Sequence, residues 1–423
     1  MTMNNLLSIE QKNQFSEILE ELGNSLDITE SEYEAAVKSY QAVGKQLTKE
    51  DSVLAPYWPD VLPQGSFMLG TMIRPISEED DLDIDLVCQL KKKNPYWTQK
   101  VLKQETGDQI KANETYRNML QSPEGRRCWT LKYREKSENP KEKYHMDILP
   151  SLVAENYNTL LKESLSRAND ISDIDALAIR ITDRSLQNYT SETNKDYWMK
   201  SNPFGYGKWF FFRANISKER MILLNEAIQA VPKYSKHKLP LQRVVQILKR
   251  HRDILYLDRN DKEDKPISII ITTLAAQAYE KETSIIDALI NVVSKMRSLI
   301  EEKKSFTGRT EKWIRNPVNP EENFADKWRE YPNREKNFYD WLNCIEADIQ
   351  NIISQKDKGL QNISESMAKP FGKDVITRTF SHYAEAILKK REEGTLKMAA
   401  GTGLLGSMGR TNIPQHNPFG TNE

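Results

Sequence analysis

The sequence predicts an α+β fold with two lobes, a sheet-bearing N-terminal lobe and a helical C-terminal lobe. Three observations carry this. Strand-like runs gather between Val53 and Pro150, at LDIDLVCQL, CWTLKYRE and YHMDILP. From Ser217 onward the apolar residues recur mostly at helical spacing. The chain, at 423 residues, is long enough for two domains or one large bilobal unit.

The elements follow in order. Phe15, Ile18, Leu19 and Leu22 share a helical face, and the pattern resumes from Ser31 to Lys49, so two helices are expected between Ser8 and Lys49. The run FMLGTMIR reads as a short helix, and a longer one is expected from Tyr96 to about Gln121. The strands form a small, mostly antiparallel sheet. Ala154 to Trp209 shows little periodicity and reads as loops and short strands. Helices are then expected at Ser217–Ala230, Leu241–Leu257, Ile267–Lys281, Ser284–Glu302, Arg334–Ser354 and Asp374–Lys390. Linkers rich in Pro, Asn and charge interrupt them at LDRNDKEDKP and GRTEKWIRNPVNPEEN. The last 30 residues hold six of the 17 glycines and few large apolar residues, and read as a flexible tail. The expected boundaries are 1–215 for a catalytic lobe with its N-terminal helices, 216–391 for a helical lobe and 392–423 for the tail.

Composition narrows the function. Lys+Arg and Asp+Glu both number 61, so the chain lacks the basic excess of a protein that coats nucleic acid, and no obligate DNA binding is expected. Cys88, Cys128 and Cys344 are far apart and have no CxxC spacing, which speaks against a disulfide framework or zinc module and for a reducing cytoplasm. The N-terminus has no long apolar core, and the longest apolar run, ISIIITTLAAQAY, is too short and too polar to span a bilayer.

The chemistry concentrates in QGSFMLGTMIRPISEEDDLDIDLVCQL, Gln64 to Leu90. Strand alternation puts Leu82, Ile84 and Leu86 on one face and Asp83 and Asp85 on the other. Two close carboxylates repel unless a cation lies between them. Hard oxygen donors suit Mg2+. A DxD pair alone fits a solvated acidic edge equally well, and Glu78 to Asp81 read that way. Asp147 adds a third carboxylate inside the apolar run YHMDILP, where either a shared metal or a salt bridge would justify it. His145, two residues earlier, points to the same side. Gln64, Gly65 and Ser66 precede a short helix; Gly65 lets backbone amides approach a phosphate and Ser66 adds a hydroxyl. No GxxxxGK[ST] loop is present.

This pattern, Gly-Ser, then hDhDh on a strand, then an acid on a later strand, resembles the DNA polymerase β-like nucleotidyltransferase superfamily. More closely, QGSFMLGTMIRP, DIDLVCQL, YHMDILP, QILKRHRDILY with KPISIIITTLAAQAY, and NPVNPEENFADKW resemble the bacterial relatives of cyclic GMP-AMP synthase, the CD-NTases. The resemblance spans roughly residues 50–390. It implies a polymerase β-like sheet lobe, a C-terminal helical lobe like that of oligoadenylate synthases, and a cleft between them. It also implies a lysine and a serine that contact the donor triphosphate, and Lys249 and Ser268 match them by type and spacing. Lys249 to Arg252 read equally as a basic patch on a surface helix, and Ser268 as a helix N-cap. Trp209 to Phe212 read as core aromatics or as base-stacking candidates, and Trp313 and Trp328 as packing residues.

The resemblance further implies a cytoplasmic enzyme that joins NTPs, ATP among them, into a cyclic di- or trinucleotide with release of pyrophosphate. Two Mg2+ ions, or Mn2+ in their place, would be held by Asp83, Asp85 and Asp147. The product would be a second messenger in anti-phage (CBASS) signalling that activates a separate effector, with regulatory partner proteins and a possible tail-modifying partner acting through Glu423. The same aspartates would also serve transfer to an RNA, protein or small-molecule acceptor. A catalytically silent nucleotide sensor is the non-enzymatic alternative, and the intact acid set speaks against it.

Overall fold

The computed structural model describes residues 7–76, 82–134, 143–154, 156–166, 170–214, 234, 236–304, 308–400, 403–406 and 410–414. Two compact units emerge, a sheet unit of Ile28–Ser235 with Arg315–Glu322, and a helical unit of Met1–Asp27, Lys236–Ile314 and Asn323–Glu423. The expected helix Ser217–Ala230 and the acidic run Glu78 to Asp81 lie outside the described residues.

The first two helices, α1 (Ile9–Leu26) and α2 (Glu30–Leu47), start where the sequence dictates. Each opens with a capping box, Ser8 with Gln11 and Thr29 with Glu32, which satisfies backbone N–H groups at the first turn. They nevertheless belong to different units. Helix α1 lies in the helical unit, not in the N-terminal catalytic lobe that the 1–215 boundary implies. The physical cause is Arg243, described below.

In the sheet unit, strands β1 (Pro59–Gln64), β2 (Leu82–Leu90), β3 (Trp129–Tyr133), β4 (Tyr144–Leu152), β5 (Ile179–Ile181) and β6 (Met199–Ser201) form one sheet of order β1-β2-β4-β5-β6. Strand β3 pairs with residues 144–148 of β4, on the stretch that β5 leaves open. Only β2 and β4 run parallel; every other pairing is antiparallel, as the sequence predicts. Ile84, Met146 and Leu131 fill one face, with Leu86, Ile148 and Trp129 beside them, and all are buried. The expected long helix near residues 96–121 is two, α4 (Gln99–Lys111) and α5 (Glu114–Met119), following the five-residue α3 (Gly65–Leu69). Asn113 caps α5 by accepting from Tyr116 N–H, which splits the run. Residues 154–209 hold more regular structure than their polarity suggests, including α6 (Tyr157–Ser166) and the start of α7 (Pro203–Arg213). Trp209, Phe210 and Phe211 of α7 are buried, so they are core rather than stacking residues.

Helix α4 lies close over β3. A Cβ at Gly107 would overlap the Trp129 ring, and Trp129 Nε1 donates to Lys103 O at 2.8 Å. The Lys103 ammonium is itself buried and donates to Gly125 O; burial lowers its pKa while Glu124 opposes. These contacts anchor the β3 edge that carries Thr130.

The helical unit contains α1, α8 (Pro240–Tyr256), α9 (Ser268–Ala278), α10 (Ile285–Met296), α11 (Pro332–Ser354), α12 (Leu360–Phe371) and α13 (Lys373–Glu392). Helix α12 is unanticipated. Gly359 and Gly372, at φ 88° and 95°, bound it, and its buried Ile363, Met367 and Phe371 are too sparse to stand out by periodicity. Residues 301–302, expected as the end of the helix Ser284–Glu302, instead belong to a strand, 301–304, that pairs with 310–313 as a hairpin. Nor is the tail wholly irregular, because 397–398, 405–406 and 411–412 form a small antiparallel sheet with Leu396 and Ala399 buried beside it. Among the described residues no helix is long and apolar enough to cross a membrane.

Arg243 ties α1 to α8. Its buried guanidinium donates from Nη1 to Asp27 Oδ2 at 2.8 Å and Gln246 Oε1 at 3.0 Å, and from Nη2 to Glu20 Oε1 at 2.7 Å and Lys236 O at 2.8 Å. Gln246 Nε2 reaches Asp27 Oδ1 at 2.7 Å, and Lys238 pairs with the same carboxylate. Gly23 makes room, since a Cβ there would meet Arg243 Nε at 2.8 Å. Burial opposes the Arg243 charge, but Asp27 and Glu20 outweigh it and raise its pKa.

Candidate active site

Strand pairing brings the polar residues of four strands into a row. Thr130 of β3 lies opposite Asp147 of β4, Asp147 opposite Asp85 of β2, and Asp85 opposite Gln64 of β1. Directly opposed residues share a sheet face, so all four project to the side away from the Ile84 and Met146 core. A second row lies two residues along, with Lys132 opposite His145 and His145 opposite Asp83. Asp83 and Asp85 therefore share a face, as the alternation predicts, and Asp147 joins them because β2 and β4 are parallel and in register.

The Gly-Ser turn is packed onto this row. Gln64 ends β1, and Gly65 and Ser66 open α3. Gly65 has φ 62°, a left-handed conformation that side chains disfavour, and a Cβ there would overlap the Asp85 carboxylate. The turn and the second aspartate thus depend on one absent methyl. Gly70, at φ 66°, ends α3 after five residues, so the expected FMLGTMIR helix is shorter than read. We predict that Gly65→Ala costs about 1–2 kcal/mol from the backbone alone. Its turnover should fall further than that loss of stability explains, because Asp85 must move. Denaturation and rate measurements on the purified variant check both.

Asp147 is partly buried, and Thr130 Oγ1 donates to its Oδ1 at 2.5 Å. Among the described residues its side-chain partner is Thr130, and no lysine or arginine pairs with it. Asp83 is the outermost acid, its side chain 77% exposed and its Oδ1 4.0 Å from His145 Nδ1. Cys128, next to β3, feels the same field: burial, then the charges of Asp147 and Asp85, push its thiol up to about 12.

The three acids suit a hard divalent cation by donor chemistry, since all are carboxylates on one face. Asp85 and Asp147 occupy adjacent strands, about 4.8 Å apart in an ordinary sheet. Among the described residues no three His, Cys, Asp or Glu side chains are gathered closely enough to hold an ion. Asp83 is the most exposed of the three acids.

Lys249 and Ser268 belong to the helical unit. Lys249 to Arg252 are all buried, so they are not the solvated patch that their charge allows. Nor is Ser268 a helix N-cap. It is the first residue of α9, after Ile267, and its hydroxyl accepts from Arg252 Nη1 at 2.9 Å. His251 Nε2 lies 3.1 Å from Asp348 Oδ2 in the same unit. Sequence reasoning missed Thr130, because a threonine in a strand carries no signal until register is known.

Residues 59–150, which carry the row from β1 to β4, match the family model described as the nucleotidyltransferase domain of cyclic GMP-AMP synthase DncV-like proteins. A c-di-GMP synthase of Roseivirga ehrenbergii is 29% identical over 400 residues, covering 94% of each chain. The cyclic dinucleotide synthase CdnG of Bradyrhizobium diazoefficiens is 20% identical over 397 residues, covering 89% of this chain and 86% of the relative. The solved structure of the latter CD-NTase in complex with GTP superposes with a TM-score of 0.60 at 19% identity, over 87% of this chain and 97% of that one, and shares the bilobal polymerase β-like α+β fold. Residues 59–150 therefore carry a DncV-like nucleotidyltransferase domain, in a chain similar over nearly its full length to cyclic dinucleotide synthases and sharing the fold of a CD-NTase.

Proposed function

We propose that the protein is a cyclic-oligonucleotide synthase that joins nucleoside triphosphates, ATP or GTP among them, into a cyclic di- or trinucleotide with release of pyrophosphate. The observation that carries this is the Gln64–Asp85–Asp147–Thr130 row with Asp83 beside it, in a chain whose relatives are named as cyclic dinucleotide synthases. The Gly65 turn would bring backbone amides and the Ser66 hydroxyl to the donor phosphates. Asp83, Asp85 and Asp147 would hold Mg2+ or Mn2+, which, when bound, supplies activation of the attacking hydroxyl and neutralisation of charge on the triphosphate and pyrophosphate. Asp147, on the strand beside the DxD pair, orients the acceptor side of the site. Triphosphate contacts by Lys249 and Ser268 rest on the resemblance alone.

The product would act on a separate effector in an anti-phage pathway in the cytoplasm, with regulatory partners acting on the synthase.

Incubation with α-labelled NTPs and Mg2+ separates the readings by where the label goes. A small product that resists phosphatase supports cyclisation, and label on added RNA or on protein supports a macromolecular acceptor. Binding without release of pyrophosphate supports a sensor. For Lys249→Ala we expect a raised nucleotide KM, and an unchanged KM would remove Lys249 from the site. Its burial makes a Tm measurement the necessary companion.

A further inference from the structure

We propose that Thr130 is a positioning residue for the reaction, fixing the Asp147 carboxylate by donating its hydroxyl to Oδ1. The proposal rests on the reading of Asp147 as a catalytic acid and adds to it a residue that neither the DxD motif nor the third acid identifies.

The argument begins with register. Thr130 and Asp147 are directly opposed across an antiparallel pair, so their side chains leave the sheet side by side on the same face. Asp85 flanks Asp147 on the other strand. Asp147 therefore sits between a hydroxyl donor on one side and a second carboxylate on the other. Two carboxylates on adjacent strands repel, and a free Asp147 would rotate away from Asp85. The Thr130 hydroxyl opposes that rotation, because a charge-assisted bond from Oγ1 to Oδ1 ties down one oxygen. The bond occupies Oδ1 and leaves Oδ2 as the oxygen that a cation or the attacking hydroxyl would use.

Thr130 is suited to hold such a position. It is 8% exposed, so water competes poorly for its hydroxyl. Its branched side chain has few rotamers in a strand. Its backbone is anchored on both sides. Thr130 O accepts from Gln121 N at 2.9 Å, and the preceding Trp129 is pinned to α4 through Lys103 O and the close approach at Gly107. A rigid strand, a stiff side chain and a dry contact are the properties by which an outer residue orients a metal ligand. In the next row, His145 Nδ1 lies 4.0 Å from Asp83 Oδ1.

The test uses the full chain, with pyrophosphate release from NTPs and Mg2+ as the readout. Thr130→Val keeps shape and removes the donor; Thr130→Ser keeps the donor. We expect the valine variant to lose about 10- to 100-fold in kcat, the usual cost of losing such an outer partner, and to need more Mg2+ for half-maximal rate. Nucleotide KM and Tm should stay near wild type, and the serine variant should recover most of the rate. On an Asp147→Asn background, Thr130→Val should cost nothing further. If the valine variant does not fold, Thr130→Ala takes its place in the same comparison. A wild-type kcat for the variant lacking the hydroxyl, beside an inactive Asp147→Asn, would overturn the role of Thr130 alone. A serine variant as slow as the valine one would also overturn it. An active Asp147→Asn would overturn the site assignment beneath it.

Discussion

Asp85→Asn is expected to lower turnover by about a thousandfold or more, equivalent to roughly 4 kcal/mol of transition-state stabilisation. The substitution is isosteric, so the close approach of Gly65 survives and the turn keeps its shape. What it removes is the central charge of the row, the carboxylate flanked by Gln64 on one strand and Asp147 on the other. The same variant should be as stable as wild type or slightly more stable without metal. Like charges opposed across a strand pair cost on the order of 0.2–1 kcal/mol, and the asparagine relieves that repulsion. Loss of activity with unchanged or raised stability distinguishes a functional carboxylate from a structural one. Pyrophosphate release and urea denaturation on one preparation check both halves. A variant both inactive and strongly destabilised would point to a structural role for Asp85.

The largest effect on stability is expected far from this chemistry in the sequence, at Arg243. Replacing it by leucine should destabilise the helical unit by about 3–5 kcal/mol, because it removes one of the two cations paired with a buried carboxylate. Asp27 is nearly buried and would keep only Lys238 and Gln246. Glu20, one-third exposed, can turn to water, so most of the loss comes from Asp27. No discount for solvent screening applies to Arg243 itself, whose side chain is fully buried. Arg243→Lys should fall between, since one ammonium cannot reach Asp27, Glu20, Gln246 and the Lys236 carbonyl together. Denaturation followed by circular dichroism measures the ranking. A leucine variant within 1 kcal/mol of wild type would mean that the cage contributes packing rather than charge pairing.

Arg243 also shows what the sequence could not disclose. Its partners lie more than 200 positions away in α1. Helical periodicity identified both α1 and α8, but not that a buried arginine joins them, and so α1 was expected with the wrong lobe. Local signals carried further. Helical periodicity and strand alternation are written within a few residues, and they find α1 and α2 and set Asp83 and Asp85 on one face of β2. Asp147 was legible because an acid amid Met146, Ile148 and Leu149 is costly without a purpose. Thr130 was not, because its meaning comes only from the register of β3 on β4. Helix α12 was hidden by sparse apolar residues between two glycines, and the ordered strands of the tail by its glycine content. The basic run at Lys249 misled in another way, since charge suggests a solvated face and the structure buries all four residues.

The most direct test of the account is the product itself. The full-length protein is incubated with all four NTPs and Mg2+, the mixture is digested with phosphatase, and the remaining nucleotides are weighed by mass spectrometry. The account predicts a phosphatase-resistant species whose mass equals two or three nucleoside monophosphates joined with loss of one water per linkage, formed by the wild type and absent with Asp85→Asn. Complete conversion to nucleosides, or nucleotide found only on a macromolecule, would contradict it.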